Sequence, residues 1–422
     1  MRKLYFILAL ALILALVAGC GGNKPEEPAQ DLTKEQDETE ILKVGAAVAL
    51  SGADARSGEI CKRAYDLWQD TVNAQGGIDV AGKKYMVEMK YYDDKSDAQT
   101  ATKLVEKLIV EDGVQFILAP FGSGIVYAAS TITEKYKVPM IAGQAAAANI
   151  YKRGYKYIFS TTADTDDYLR STFELTETLD PPINTVAILY ENGLFSGLCA
   201  EASKGFAEER NMEVVYFDKY ESTTNDLSPA LLEVAAKKPD LFVVIGWPET
   251  SAIAQRQIKD LNLDFPLVAQ AFGPAIPAWR ESVGDAALYV LAEEQFYYDD
   301  ESSRDHVFGT AKDYTKLHMD RYGYIPTYDD ANSAAAALAL QLAIEKAQSI
   351  DREKVRDALA SLDEPTFVGR LKFKENGGRY NPRLYAVQIQ SKNPKDNPVF
   401  VYPKDYAQAE IVYPMPKFSE RE

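Results

Sequence analysis

Histidine and cysteine are scarce in this chain. Its 422 residues include two histidines, His306 and His318, and three cysteines, Cys20, Cys61 and Cys199. Two histidines in the acidic entry and the body of one expected helix supply neither a zinc ligand set nor a histidine acid–base pair; both read as surface residues. Cys61 and Cys199 either pair, in an oxidising compartment, or stand as buried free thiols, and the sequence does not give the Cα separation that decides this. There is no G-x-S-x-G elbow, no P-loop, no H-E-x-x-H and no C-x-x-C, so the common hydrolase, nucleotidase, zinc-protease and thiol-redox signatures are missing. Gly122-Ser123-Gly124 resembles half of a dinucleotide fingerprint, but the third glycine is absent and the acidic residue needed about 20 positions on would fall near Gly143. With no activated nucleophile either, the chain does not read as an enzyme, and no cofactor or metal is expected. Basic residues are outnumbered, 46 against 63 acidic ones, for a net charge of −17. Such a surface repels phosphate and excludes nucleic acid as a partner. No apolar run reaches the roughly 20 residues that a membrane-spanning helix needs.

What the chain does have begins at its N-terminus. Arg2 and Lys3 precede an apolar run over 4–16, which ends in Val17, Ala18, Gly19 and Cys20. The pattern fits a secretory signal peptide over 1–19. Small residues immediately before a cysteine resemble the lipobox of bacterial lipoproteins, which implies lipid on Cys20. The stretch 20–40 then reads as an acidic tether, with Glu26, Glu27, Asp31, Glu35, Asp37, Glu38 and Glu40 against Lys24 and Lys34. The expected location is outside the cytoplasmic membrane and tied to it by lipid, in a periplasm or at a cell surface.

Hydrophobic residues make up 46% of the chain and aromatic ones 11%, enough for full cores in two domains. Strand-like and helix-like segments alternate. Strands are expected at 42–50, 85–92, 116–119 and 140–142, with helices at 59–75, 98–111 and 124–136 between them. A second series has strands at 157–160, 185–190, 214–220, 241–245 and 265–269 and helices at 167–179, 198–210, 227–237 and 251–261. Such alternation predicts parallel sheets with helices on both faces, and two series predict two lobes. The remainder is less regular: helices are expected at 304–322, 330–348 and 351–362, short strands at 371–373 and 386–390, and an extended tail over 402–416. The alanine-rich run 334–342 predicts a tightly packed helix.

Leu50-Ser51-Gly52 ends the first strand. Asn73-Ala74-Gln75-Gly76-Gly77-Ile78 follows the first helix, Tyr92-Asp93-Asp94 with Asp97 precedes the second, and Arg153-Gly154-Tyr155 leads to Thr161-Thr162. In this order and spacing, over about 42–390, the set resembles the periplasmic leucine/isoleucine/valine-binding family, the type I solute-binding proteins of ABC importers. The resemblance implies an α/β fold of two doubly wound parallel-sheet lobes joined by three crossovers. Lobe one would be 41–163 plus 297–367, and lobe two 164–296 plus 368–418. It also implies hinge closure on a small ligand and delivery to an ABC permease; the alternative is a ligand-sensing receptor of the same fold without a transport role.

Ligands of doubly wound sheets sit beyond the carboxyl ends of strands. Ser123 lies there at a helix start, where it either holds a carboxylate or caps the helix; the resemblance places a ligand-binding serine at this position. Gln144, Ala145 and Ala146 follow the next strand, and the threonine hydroxyl that amino-acid binders have at the position of Ala146 is missing. Ser57 falls where relatives often carry an aromatic residue. Phe195, Trp247 and Tyr328 match wall positions, with core packing the alternative for the first two. Where amino-acid binders place an amine-binding glutamate, this chain has Gln270-Ala271-Phe272. The resemblance leaves the amine side to the run 164–167, with Asp166 as the candidate. An ammonium without an anionic partner is poorly stabilised in a closed cleft. The expected ligand is therefore a small carboxylate with an aromatic or apolar tail, an aliphatic amino acid staying open.

Overall fold

The computed structural model describes residues 40–421; the expected signal segment, Cys20 and all but the end of the tether lie outside them. No helix among the described residues is long and apolar enough to cross a membrane.

The first sheet collects β1 (Glu40–Val48), β2 (Ile78–Val80), β3 (Lys83–Asp93), β4 (Phe116–Leu118), β5 (Met140–Ala142) and β6 (Ile158–Ser160) in the order β2-β3-β1-β4-β5-β6. All its pairings are parallel except β2 with β3. The second sheet has β7 (Thr185–Glu191), β8 (Glu213–Tyr220), β9 (Leu241–Ile245), β10 (Leu267–Gln270) and β11 (Leu291–Glu294), which run parallel. Two small hairpins follow, β12 (Arg304–Asp305) with β13 (Gly309–Thr310) and β14 (Asp363–Thr366) with β15 (Gly369–Lys372). The chain then returns to the second sheet with β16 (Tyr385–Gln388) and β17 (Val399–Tyr402), both antiparallel, giving the order β17-β16-β11-β10-β9-β7-β8. β9 is apolar and buried at every position, as a parallel strand covered on both faces must be.

The helices α1 (Ala55–Ala74), α2 (Ala98–Val110), α3 (Ser123–Tyr136) and α4 (Ala148–Tyr151) connect strands of lobe one. In lobe two, α5 (Arg170–Thr176), α6 (Leu194–Glu209), α7 (Ser228–Lys237), α8 (Pro248–Asp260) and α9 (Pro277–Val283) do the same. After β11 the chain crosses back and adds α10 (Ala311–Tyr322), α11 (Tyr328–Ala347) and α12 (Arg352–Ala360) to lobe one.

The three crossings between lobes are tied together by buried polar groups. The Gln295 side-chain oxygen accepts from the Ala163 amide at 2.9 Å, the Thr162 hydroxyl at 3.1 Å and the Asn332 amide at 3.1 Å. From the third crossing, Arg379 donates to the carbonyls of Thr161 and Val368, and the Gly377 carbonyl accepts from the Ser160 amide at 2.9 Å. The three crossing strands are thus hydrogen-bonded to one another.

Several local expectations change. His318 is 0% exposed, not a surface residue. Its Nε2 lies 3.2 Å from the Asp330 carboxylate and its Nδ1 3.1 Å from the Tyr324 carbonyl. The helix expected from 304 begins only at Ala311, because the Asp305 carboxylate turns the chain by accepting from the amides of Val307, Phe308 and distant Phe367. Cys61 and Cys199 are free and buried; burial pushes the Cys61 thiol up to about 12. The helix expected over 167–179 shortens to α5.

α11 is buried almost along its whole length, with Ala334 to Ala337 at 0% exposure. It comes so near the end of β5 that a Cβ on Gly143 would lie 2.6 Å from the Ser333 Cα and 2.7 Å from the Asn332 carbonyl oxygen. Both are backbone atoms and cannot swing aside. Gly143→Ala is expected to destabilise the protein by about 2–3 kcal/mol, measured by urea unfolding. A variant as stable as the parent would mean that the helix and strand do not meet this closely.

Candidate functional site

Beyond β4 the chain turns at Gly122, whose φ of +91° places it where side-chain-bearing residues are strained, while an added Cβ would meet nothing within 4 Å. The glycine is needed for its backbone angle. That turn makes Ser123 the first residue of α3, one place earlier than expected. Ser123 does not cap its own helix. Its hydroxyl oxygen accepts from the Ala147 amide at 3.0 Å, which leaves its own hydrogen to donate. The first-turn amides of α3 have no acceptor within the helix and carry its positive dipole end.

Ser123 lines a small inner cavity of about 20 Å³ between the lobes, room for about one water as the lobes stand, together with Gln144, Ala146 and Thr162. Phe121 and Tyr328 close it from lobe one, and Tyr168, Phe195, Trp247 and Phe272 from lobe two. No acidic, basic or histidine side chain lines it. Gln144 donates to the Asp329 carbonyl at 2.7 Å, which occupies its amide nitrogen. Thr162 has given its hydrogen to Gln295. The Tyr168 and Tyr328 hydroxyls lie 2.6 Å apart, bonded across the lobes; one hydrogen is used and the other remains. Burial holds both phenols well above their ordinary pKa, so they stay neutral donors. The free donors are therefore the Ser123 hydroxyl, one phenol and the α3 amides.

Phe121, Ser123, Phe195 and Trp247 line both this cavity and an outer vestibule of about 210 Å³. Trp247 of lobe two meets Phe121 of lobe one at 5.5 Å and stacks on Phe195 at 5.5 Å. The vestibule lies between the starts of α3 and α6, and Asp54 is its one ionisable residue.

The other expected site residues lie elsewhere. Ser57 is a half-buried residue of α1 and lines neither space. Ala145 is fully buried, and its carbonyl accepts from the Tyr151 hydroxyl at 2.6 Å. Asp166 is exposed and paired with Lys152 at 2.6 Å. Asp164 is held by Lys374 at 2.8 Å and Asp167 by Arg170 at 2.7 Å, so each carboxylate of the acidic run has a cation partner and none lines the cavity. Phe121, Thr162, Tyr168 and Phe272 were not singled out as walls. Phe121, Thr162 and Phe272 each follow a strand end within three residues, the one signal that could have marked them.

Buried carboxyls stand behind the walls. Asp329, next to Tyr328, is fully buried with one oxygen unpartnered, and burial together with the neighbouring Asp330 holds its pKa well above the ordinary range. Burial and the charge of Asp329 do the same to Glu294. For Asp330, burial pushes the same way, but His318, Tyr324 and Thr327 hold it below the ordinary value. A carboxyl whose folded pKa is raised binds its proton on folding. Its contribution is intact below the unfolded value of about 3.9 and drains away as pH rises toward the folded value. The melting temperature is therefore expected to fall from pH 5 to pH 8, and Asp329→Asn to flatten that fall and melt higher than the parent at pH 8. Calorimetric scans across this range check it; a variant that melts lower at pH 8 would contradict the burial argument.

The periplasmic binding protein family model matches residues 41–394. Among curated proteins, the leucine-, isoleucine-, valine-, threonine- and alanine-binding protein of Pseudomonas aeruginosa is 27% identical over 351 residues, covering 81% of this chain and 88% of its own. Among solved structures, a leucine-binding protein of Thermotoga maritima superposes with a TM-score of 0.74 at 19% identity, covering 86% of this chain and 99% of its own. A solute-binding protein of an ABC transporter from R. palustris, in complex with benzoate, gives 0.72 at 18% identity, covering 88% and 98%. The fold is thus the two-lobed type I periplasmic binding protein fold.

Proposed function

We propose that this chain, which belongs to the periplasmic binding protein family, captures a small aromatic carboxylate between its lobes and delivers it unchanged to an ABC importer. The observation that carries this reading is the chemistry of the inner cavity. Six rings surround it, hydroxyl and amide donors gather at the Ser123 end, and no carboxylate lines it to receive an ammonium. An aromatic body gains by stacking among Phe121, Phe195, Trp247 and Phe272. Its carboxylate is matched by the Ser123 hydroxyl and the α3 dipole. Gln144, Ala146 and Tyr328 contact the remaining edge. An α-ammonium would sit unpaired, because Asp164, Asp166 and Asp167 are engaged with cations. The relative named for branched-chain amino acids and the neighbour holding benzoate bracket the two ligand classes, and the lining favours the second.

Closure brings lobe one (41–163 with 297–367) against lobe two (164–296 with 368–418) around the ligand. Lipid on Cys20 keeps the protein at the outer face of the membrane, where a permease can take the load. No chemistry on the ligand is part of this reading.

Titration calorimetry tests it with benzoate, phenylacetate, 4-methylpentanoate, leucine and phenylalanine. An aromatic acid is expected to bind at least about 100-fold tighter than either amino acid, and Ser123→Ala to weaken it about 10- to 100-fold, as loss of a hydrogen bond to a charged group does. Leucine binding more tightly than 4-methylpentanoate would overturn the reading.

A further inference from the structure

Ser196 has no role in the site described so far. It is 1% exposed, it lines the vestibule, and its hydroxyl has no hydrogen-bond partner. A buried hydroxyl left without a partner is uncommon and calls for an explanation. Ser196 is the third residue of α6, a 16-residue helix whose N-cap is Gly193. Its oxygen lies 3.9 Å from where a Cβ on Gly193 would stand, so it is directed back toward the start of the helix. The first-turn amides of α6, those of Leu194, Phe195 and Ser196, have no acceptor within their own helix. Gly193 is extended, with no side chain to cap them.

Across the vestibule stands the start of α3, with Gly122, Ser123 and Gly124 on the same wall. α3 belongs to lobe one and α6 to lobe two, and the two helices touch. Two positive helix ends from different lobes therefore face one space, each with a serine hydroxyl beside it. Left without an anion between them, like dipole ends resist approach; an oxyanion between them reverses the sign of that interaction.

We infer that the start of α6, with the Ser196 hydroxyl, is the lobe-two half of the anion site, so that the ligand's carboxylate is shared between the N-termini of α3 and α6. This rests on the aromatic-carboxylate reading and adds to it what makes closure depend on charge. A ligand contacting α3 alone would bind the open form as well as the closed form. A carboxylate shared with α6 favours the closed form by the interactions made only there. Asp54 is the vestibule's own carboxyl; burial, with Glu249 and Glu191 of lobe two, pushes its pKa upward, and its charge opposes a bound anion.

Calorimetry with benzoate and its neutral isostere benzamide tests the inference on the parent, Ser196→Ala, Ser196→Asp and Asp54→Asn. Ser196→Ala, which suits a helix and is not expected to unfold, should lower benzoate affinity about 5- to 20-fold and leave benzamide affinity unchanged. Ser196→Asp supplies a fixed carboxylate to the same amides and should abolish benzoate binding. Asp54→Asn should raise benzoate affinity several-fold. If the parent binds benzoate while Ser196→Ala and Ser196→Asp bind it as the parent does, the shared site is refuted and the Ser123 reading stands. Equal losses for benzoate and benzamide in Ser196→Ala would make Ser196 a packing residue and refute it too. If Asp54→Asn instead weakens binding, Asp54 itself completes the site. A parent that binds no aromatic carboxylate removes both readings.

Discussion

The amide hydrogens of the first turn of α3 face the cleft with no acceptor in their own helix, and the one hydroxyl at that end is already accepting from Ala147. Much of the surrounding architecture bears on that unmet demand. Gly122 sets the turn that aims the amides, the Ser123–Ala147 bond fixes the next strand's loop beside them, and rings of both lobes line the cavity at that end. A polar group in an apolar enclosure interacts more strongly than it would in water, and leaving it unmatched costs more as well. The same enclosure that makes the site selective makes it intolerant of the wrong charge.

The junction between the lobes is itself closely bonded. Gln295, on the second crossing, gathers an amide and a hydroxyl from the first and a side-chain amide from α11, while Arg379, fully buried, joins the third. Such a knot resists shear of one strand past another but leaves backbone torsions outside it to bend, which is how hinges absorb closure. Lys374 bridging Asp164 and Asp167 lies beside the same junction. The acidic run that resembles an amine-binding element is thereby occupied in joining the crossings.

Alternating strands and helices were legible because the central parallel strands, such as β4, β5 and β9, are unbroken apolar runs and a few helices announce their start with a capping residue. Asp97, for instance, accepts from the Thr100 amide at 2.7 Å. The hairpin at 304–310 was not legible, because Asp305 holds the Phe367 amide, a partner that only the folded chain brings near. His318 looked exposed for the same reason: its acid, Asp330, sits on the next helix. At the site, the strand-end rule led to Ser123, Gln144 and Trp247, since local topology alone puts them at the mouth of a sheet. Tyr168 had no such marker, and Asp166 looked free because its pairing with Lys152 is not written in the local pattern.

Trp247 sits in a position unlike the other two tryptophans. Trp68 is 0% and Trp279 2% exposed, each fixed by a hydrogen bond within a core. Trp247 instead stacks on a ring of its own lobe and meets a ring of the other. Separating the halves would strip Phe121 from its face and wet the indole while leaving its two counterparts undisturbed. The protein thus carries a native fluorophore that distinguishes gaping from shut, with no label attached.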